Sequence, residues 1–406
     1  MNPFNPEVKA PMKRNLLIMS LSALLICYSC TSQKPMEDII NESLSFAVKQ
    51  YGLMTDVIRE IPDELPRTLD DQGNLITVRS GWWTSGFFPG SLWYLYEFTA
   101  DQQLKDDAIL ISSRVEREKY TTNNHDVGFI LYCSYGNGLR LTGEESYTEV
   151  LLTGARSLSK RFRPNIGTIQ SWAATPAWQC PVIVDNMMNL ELLMWAFKKS
   201  GDSSFYKIAV KHSDTTMKNH YRPDHSAYHV VSYDTITGQV EAKQTHQGFS
   251  DESDWARGQS WGLYGFVMMY RETGLYRYLE HAINIADFLT GHPGMPDDMI
   301  PYWDYDAPGI PDAKRDASAG AIMASALTEL GGYVDNDRKS RYLEVAGKQL
   351  RSLSSPAYRA GPGENGNFIL KHSVGSLPAG SEVDVPLTYA DYYYIEALLR
   401  YRKLLR

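Results

Sequence analysis

Cysteine is scarce. Four in 406 residues are too few to staple a fold of this length, and two of them, Cys27 and Cys30, fall in an apolar N-terminal stretch. Cys133 and Cys180 remain, either as one disulfide or as two buried thiols. No later apolar run approaches the roughly 20 residues that span a bilayer. No Lys/Arg cluster stands out beyond the first residues and the net charge is −8, which removes the electrostatic footprint of a nucleic-acid binder. H-E-x-x-H, an Asp/Asn-rich calcium loop, a glycine-rich phosphate cradle and a G-x-S-x-G elbow are all missing. No metal site is therefore expected.

What is present is ordinary globular composition, 43% hydrophobic and 22% charged, with 26 Tyr and 9 Trp. That many aromatics serve either core packing or stacking on ring-shaped ligands. The chain begins with a targeting pattern. MKRNLLIMSLSALLICYSC runs from basic Lys13 and Arg14 through apolar Leu16 to Ile26, then to Ser29 and Cys30, the order of a bacterial secretory signal. Cys30 followed by Thr31 and Ser32 resembles a lipoprotein attachment site; the alternative is a plainly cleaved leader. Residues 1–35 are read as leader and tether, and 36–406 as a single catalytic domain. The expected location is the periplasm or the outer membrane of a Gram-negative bacterium.

Along the rest of the chain, helix follows helix with little convincing strand. An apolar helix, a polar turn and a Tyr- or Phe-led amphipathic helix recur, the turns being LTGEESY (141–147), KSGDSSFY (199–206), ETGLYRY (272–278) and YVDNDRKSRY (333–342). The first helices of the pairs, near 86–98, 126–140, 186–199, 257–272, 316–331 and 388–404, are apolar on most faces and rich in small residues. They read as buried on both sides. The second set, near 101–117, 146–162, 203–219, 276–290 and 337–354, is more charged, and a helix near 36–58 supplies its sixth member. Six inner and six outer helices in alternation predict an all-α closed toroid rather than an open solenoid, whose ends would need caps. Long links lead into the inner helices and gather at one rim, where binding belongs. One link, 220–256, carries a small β-hairpin as an insertion.

Asp126, in NNHDVGF, and Asp185, in VDNMMNLELL, stand at the starts of consecutive inner helices. A single Asp there is ordinarily a helix cap. Two of them, flanked by His125 and Asn186, also point to a pair of acids across one cleft, whose mutual repulsion leaves one protonated and one charged. Arg257, heading WARGQSWGLYG, offers a fork for a carboxylate, with Trp261 one turn along; a surface salt bridge is the plainer reading. Trp82, Trp83, Trp172 and Trp178 precede inner helices one and three, for stacking on a pyranose or for lid packing. His229, His246 and Gln247 lie in the hairpin link.

WTSGFFPGSLW (83–93), NNHDVGF (123–129), VDNMMNLELL (184–193), WARGQSWGLYGF (255–266) and YADYYYIEALLR (389–400) together resemble glycoside hydrolase family 88, the unsaturated glucuronyl hydrolases, over nearly the whole mature chain. The resemblance implies an (α/α)6 barrel. It implies hydration of the C4=C5 double bond in the unsaturated uronic acid that lyases leave at the non-reducing end of glycosaminoglycan fragments, with release of the sugar below. It also implies Asp185 as general acid/base and Asp126 as the aspartate that tunes it. Trp83, His125, Trp172, His229, Gln247, Arg257 and Trp261 are implied to line the uronate pocket, without a cofactor. In some members a Ser- and Lys-containing segment before the last inner helix handles sulfated sugars; here LKHSVGSLPAGSEVDV (370–385) keeps Ser373 and Ser376, but its lysine, Lys371, precedes them. The nearest alternative is an unsaturated rhamnogalacturonyl hydrolase acting on pectin fragments. An ordinary inverting glycosidase is more distant, and a surface glycan-binding lipoprotein without catalysis is the alternative of another class.

Overall fold

The computed structural model describes Glu7 and residues 33–406. The leader's apolar run and Cys30 lie outside the described residues.

Glycine sets the rhythm of the helix pairs. Gly143, Gly201 and Gly274, at the centres of three of the repeated turns, adopt φ of 69°, 73° and 69°. Each donates its N–H to the carbonyl four residues back, Leu139, Phe197 and Tyr270 respectively. A left-handed residue at this point closes a helix and is cheap only for glycine. An aspartate then opens the next outer helix in several pairs: the Asp202 side chain accepts from the Ser204 N–H, and Asp101 and Asp335 do the same for theirs. These caps satisfy donors that have no partner inside the helix.

The inner helices are Phe87–Thr99, the interrupted helix 127–142, the helix ending Leu190–Ser200, Ala256–Thr273, Ala317–Leu330 and Thr388–Leu404. The outer helix Met36–Arg59 precedes them, and between them in sequence come Gln102–Ser113, Ser146–Ser159, Ser203–Asn219, Tyr276–Thr290 and Asn336–Leu353. Each inner helix packs on the next, and the last packs on the first, so the ring is closed. The expected (α/α)6 barrel is the observed fold. Closure is also chemical: Tyr51, on the first outer helix, donates to Asp391 on the last inner one at 3.1 Å. Glycines let the inner backbones approach. A Cβ on Gly128 would lie 2.6 Å from the Asn189 Cα, and one on Gly90 would lie 2.5 Å from the Cys133 carbonyl oxygen.

Two inner helices differ from the continuous helices expected. The second widens into a π-helical turn at Tyr132–Gly136, where the Asn137 side chain donates to the Cys133 carbonyl at 3.0 Å. The third opens as a tight 3-10 turn, Val184–Asn189. Periodicity averages over such turns and does not report them. The scarcity of strand is also corrected. The hairpin Val230–Tyr233 with Val240–Gln244 is present, but Pro181–Ile183 joins it to make a three-stranded antiparallel sheet. Short hairpins also form at 64–79, 162–169 and 373–385. All of them lie in links that lead from an outer helix into the next inner one, at the rim that bears the site. Cys133 and Cys180 are both free and buried, which decides between the two readings.

An aromatic layer crosses the barrel axis. Phe129 sits 5.2 Å from both Phe87 and Trp261; Trp261 is 5.1 Å from Tyr393 and 6.4 Å from Tyr389, and Tyr389 is 4.8 Å from Trp83. These rings, at centroid spacings typical of aromatic packing, form the floor of the cleft above them.

Candidate active site

Asp126 occupies the N-cap position of the second inner helix, yet its carboxylate accepts none of that helix's free N–H groups. Asp185, inside the 3-10 turn of the third, makes no cap bond either, and its Oδ1 is buried without any hydrogen-bond partner. Both acids are almost enclosed, 8% and 9% exposed. They line one cleft with Trp83, His125, Phe129, Trp172, Ile183, Gln247 and Arg257. A buried carboxylate oxygen left unpaired is expensive in a folded chain and marks a place where a ligand is expected.

The two acids are held by different means. Asn189, one turn past Asp185, donates to Asp126 Oδ1 at 3.3 Å and accepts the Phe129 N–H at 2.9 Å, so one side chain joins the starts of two inner helices. His125 Nε2 lies 3.3 Å from Asp126 Oδ1. Arg161 reaches in from below and donates to the carbonyls of Thr122, Gln170 and Ser171. Asp185 is placed by the sheet: Val184 N–H bonds the His229 carbonyl at 3.1 Å, and Ile183 N–H bonds Ser171 Oγ at 3.0 Å. Neither Arg161 nor Asn189 stood out in the sequence, because what each does for Asp126 depends on segments dozens of residues apart meeting in the fold.

Burial raises both carboxyls to about 7, the usual response of an acid moved out of water. Secondary causes separate them. Asp126 is pulled back by the Asn189 hydrogen bond and the field of Arg161. Asp185 is pulled back by Arg257, and the charge of Asp126 pushes it up. Arg257 is itself paired with Asp316 at 3.1 Å, which spends much of its field. With both near 7, the charge of Asp126 favours keeping the proton on Asp185.

His229 stands beside the cleft, its Nε2 4.0 Å from Asp185 Oδ1. Its Nδ1 accepts the backbone N–H of both His246 and Gln247, at 3.1 and 3.2 Å, so the proton of the neutral ring sits on Nε2, facing Asp185. Burial depresses its pKa and keeps the ring neutral; His125 is lowered to about 3 for the same reason. Trp172 stands over this side, 5.6 Å from Trp178 and 5.0 Å from His246.

Four of the expected site residues sit differently. Arg257 is 1% exposed, and both ends of its fork are taken: one terminal nitrogen bonds Asp316 and the Val374 carbonyl, the other the Gly375 carbonyl at 2.7 Å. The reading of a free fork for a substrate carboxylate is corrected. The residue supplies charge to the cleft and clamps the 373–385 hairpin to the barrel, an arrangement that spacing along one helix does not reveal. Trp261 belongs to the aromatic floor and has no exposed surface. Ser373 is fully buried and Ser376 half-buried, each with an unpartnered hydroxyl. Gln247 ties into the same hairpin, its amide donating to the Gly375 carbonyl at 2.9 Å.

Among the described residues, no three His, Cys, Asp or Glu side chains are arranged to hold a metal ion. A larger cavity, about 620 Å³, opens at the opposite end of the barrel beneath Phe129. Its acids are already engaged: Glu396 accepts from Tyr94, Tyr264 and Ser325, and Glu329 bonds Arg271 and Arg400. It is a structural ion network rather than a second pair of free acids.

Comparison with known proteins agrees with this geometry. The sequence model of Glycosyl Hydrolase Family 88 matches residues 57–402. The chain is 41% identical over 400 residues to an unsaturated glucuronyl hydrolase of Formosa agariphila, covering 96% of this chain and 98% of that one. A crystal structure of an unsaturated glucuronyl hydrolase specific for heparin superposes with a TM-score of 0.88 at 46% identity, over 91% of this chain and 98% of the other. That of the unsaturated glucuronyl hydrolase responsible for the degradation of glycosaminoglycan in Bacillus sp. GL1 superposes at 0.81 and 30%, over 88% and 96%. Matched nearly end to end in sequence and in fold, the chain belongs to Glycosyl Hydrolase Family 88.

Proposed function

We propose that this protein is an unsaturated glucuronyl hydrolase that hydrates the C4=C5 bond of the unsaturated uronate ending a glycosaminoglycan oligosaccharide. The observation that carries the reading is the acid pair: two buried carboxyls in one cleft, neither capping its helix, both raised to about 7, one with an unpartnered oxygen. The relatives that match over most of their length bear the name of this activity.

The reaction divides between the two acids. The vinyl ether needs a proton at C4, and Asp185, the acid that keeps its proton, donates it. Positive charge then develops at C5 and the ring oxygen, and the carboxylate left on Asp185 takes a proton from the water that adds at C5. The product is a hemiketal. It opens between C5 and the ring oxygen, and the hemiacetal left at C1 expels the next sugar. Charged Asp126 keeps the proton on Asp185 until substrate arrives. Neutral His229 presents an N–H toward the same carboxylate and steadies it once it is charged. The buried Arg257 charge favours an anionic ring, and Trp83 and Trp172 offer faces for the pyranose.

The test is incubation with lyase-generated disaccharides from several glycosaminoglycans and from pectin, following loss of the conjugated alkene absorbance. Glycosaminoglycan fragments are expected to be consumed, pectin fragments to be spared, and saturated chromogenic glucuronides to remain intact. Release of the saturated chromogen would place the chemistry at the anomeric carbon and overturn the reading.

A further inference from the structure

In the proposed function the unsaturated ring occupies the cleft above the aromatic floor, and the sugar that follows extends toward the rim. There Trp82, bonded in sequence to the cleft residue Trp83, is 40% exposed. The Arg67 guanidinium lies over its ring at 4.3 Å. Arg67 stands in the strand Glu64–Leu69 where the pairing register slips between Pro66 and Thr68, and such a bulge re-aims the side chain it carries. Its Nε donates to Glu382 at 2.6 Å, and neither terminal nitrogen donates to any acceptor among the described residues.

Glu382 is a costly brace. It holds φ of 55°, with Asp384 at 60° and His372 at 62° in the same hairpin segment. Non-glycine residues in this region are strained and gather at functional sites. The Glu382 carboxylate packs against Gly375, where any Cβ would collide with it. Gly375 in turn gives its carbonyl to Arg257 and Gln247, two cleft residues. The brace, the platform and the cleft wall are therefore continuous. Lys371, the one lysine of residues 370–385, donates to the Pro356 carbonyl at 2.8 Å and is engaged elsewhere.

We propose that Arg67, lying over Trp82 and braced by Glu382, is a subsite for a sulfate group on the sugar that follows the unsaturated ring. The inference rests on the proposed function and adds the substituent that the leaving sugar carries. A guanidinium with both terminal nitrogens free makes charge-assisted, paired hydrogen bonds to such an oxyanion, and the exposed indole face seats the ring that bears it.

The test compares kcat and KM of the full chain on unsaturated disaccharides with and without sulfate on the hexosamine. The wild type is expected to show the lower KM for the sulfated one. Arg67→Ala is expected to raise that KM about 10- to 100-fold, kcat being unchanged, and to alter the unsulfated kinetics by less than about twofold. Arg67→Lys, which keeps the charge and loses the fork, should fall between. Arg67→Gln, which removes the charge and keeps most of the packing over Trp82, should also raise the sulfated KM selectively; it serves as the test if Arg67→Ala does not fold. Equal effects on both disaccharides would reduce the cluster to a clasp between hairpins and overturn the proposal, as would a wild type that does not favour the sulfated substrate. Failure of the wild type on every unsaturated disaccharide would instead sink the proposed function, and this subsite with it.

Discussion

Asp126 and Asp185 are alike in burial and differ in neighbours, and the difference makes a prediction about Asp185→Asn. An amide cannot give up a proton to C4, so turnover should fall between about 10²- and 10⁴-fold. Stability should move the other way. The folded-state pKa of Asp185, about 7, lies above the roughly 3.9 of an unfolded aspartate, so between these values the folded protein binds more protons than the unfolded one. Stability contributed by this group is therefore full below about pH 4 and is lost as pH rises through 7. Asparagine has no such loss. The variant should match wild type near pH 3.5 and exceed it at pH 8 by on the order of 2–4 kcal/mol, given about 1.4 kcal/mol per tenfold change in proton affinity. Urea unfolding at the two pH values checks this; an unchanged difference would mean that the carboxyl is not raised. The positions of both acids were legible in the sequence, because helix starts are. Their freedom from capping was not, since that depends on where the side chain turns.

Among elements, the second and third inner helices matter most, because one contact between them fixes the carboxylate of Asp126. Gly128 lets the two backbones meet against Asn189, and Asn189 holds Asp126. Gly128→Ala should force Asn189 aside, costing about 1–3 kcal/mol by overpacking and lowering kcat more than an equal destabilisation elsewhere. A Tm scan paired with kinetics reads both, and a variant that loses stability while keeping full kcat would show that Asn189 does not govern Asp126. The repeat of helix pairs was readable because its turns use Gly143, Gly201 and Gly274, where left-handed geometry leaves a compositional mark. The π turn at Tyr132–Gly136 and the third strand at Pro181–Ile183 left none. The first depends on an Asn137 side chain reaching back to a carbonyl, and the second on pairing with a strand about 50 residues later.

Across the molecule, Glu396 draws four inner helices together, accepting from Tyr94, Tyr264 and Ser325 while paired with Arg400 on its own helix. Glu396→Ala would strand three buried hydroxyl donors and leave Arg400 with Glu329 as its carboxylate partner, a loss of about 3–5 kcal/mol expected as a lower urea midpoint. A midpoint within experimental error of wild type would show that packing alone closes the ring. The ring itself follows from alternation of apolar and amphipathic helices; the fate of Arg257 does not, because Asp316 reaches it from a neighbouring inner helix. The central claim, that the acid pair adds water to an alkene rather than cutting at the anomeric carbon, is tested by following alkene absorbance and sugar release together on one glycosaminoglycan disaccharide. The account predicts loss of one alkene for each sugar released, with both abolished together in Asp185→Asn. Sugar released while the alkene persists would contradict it.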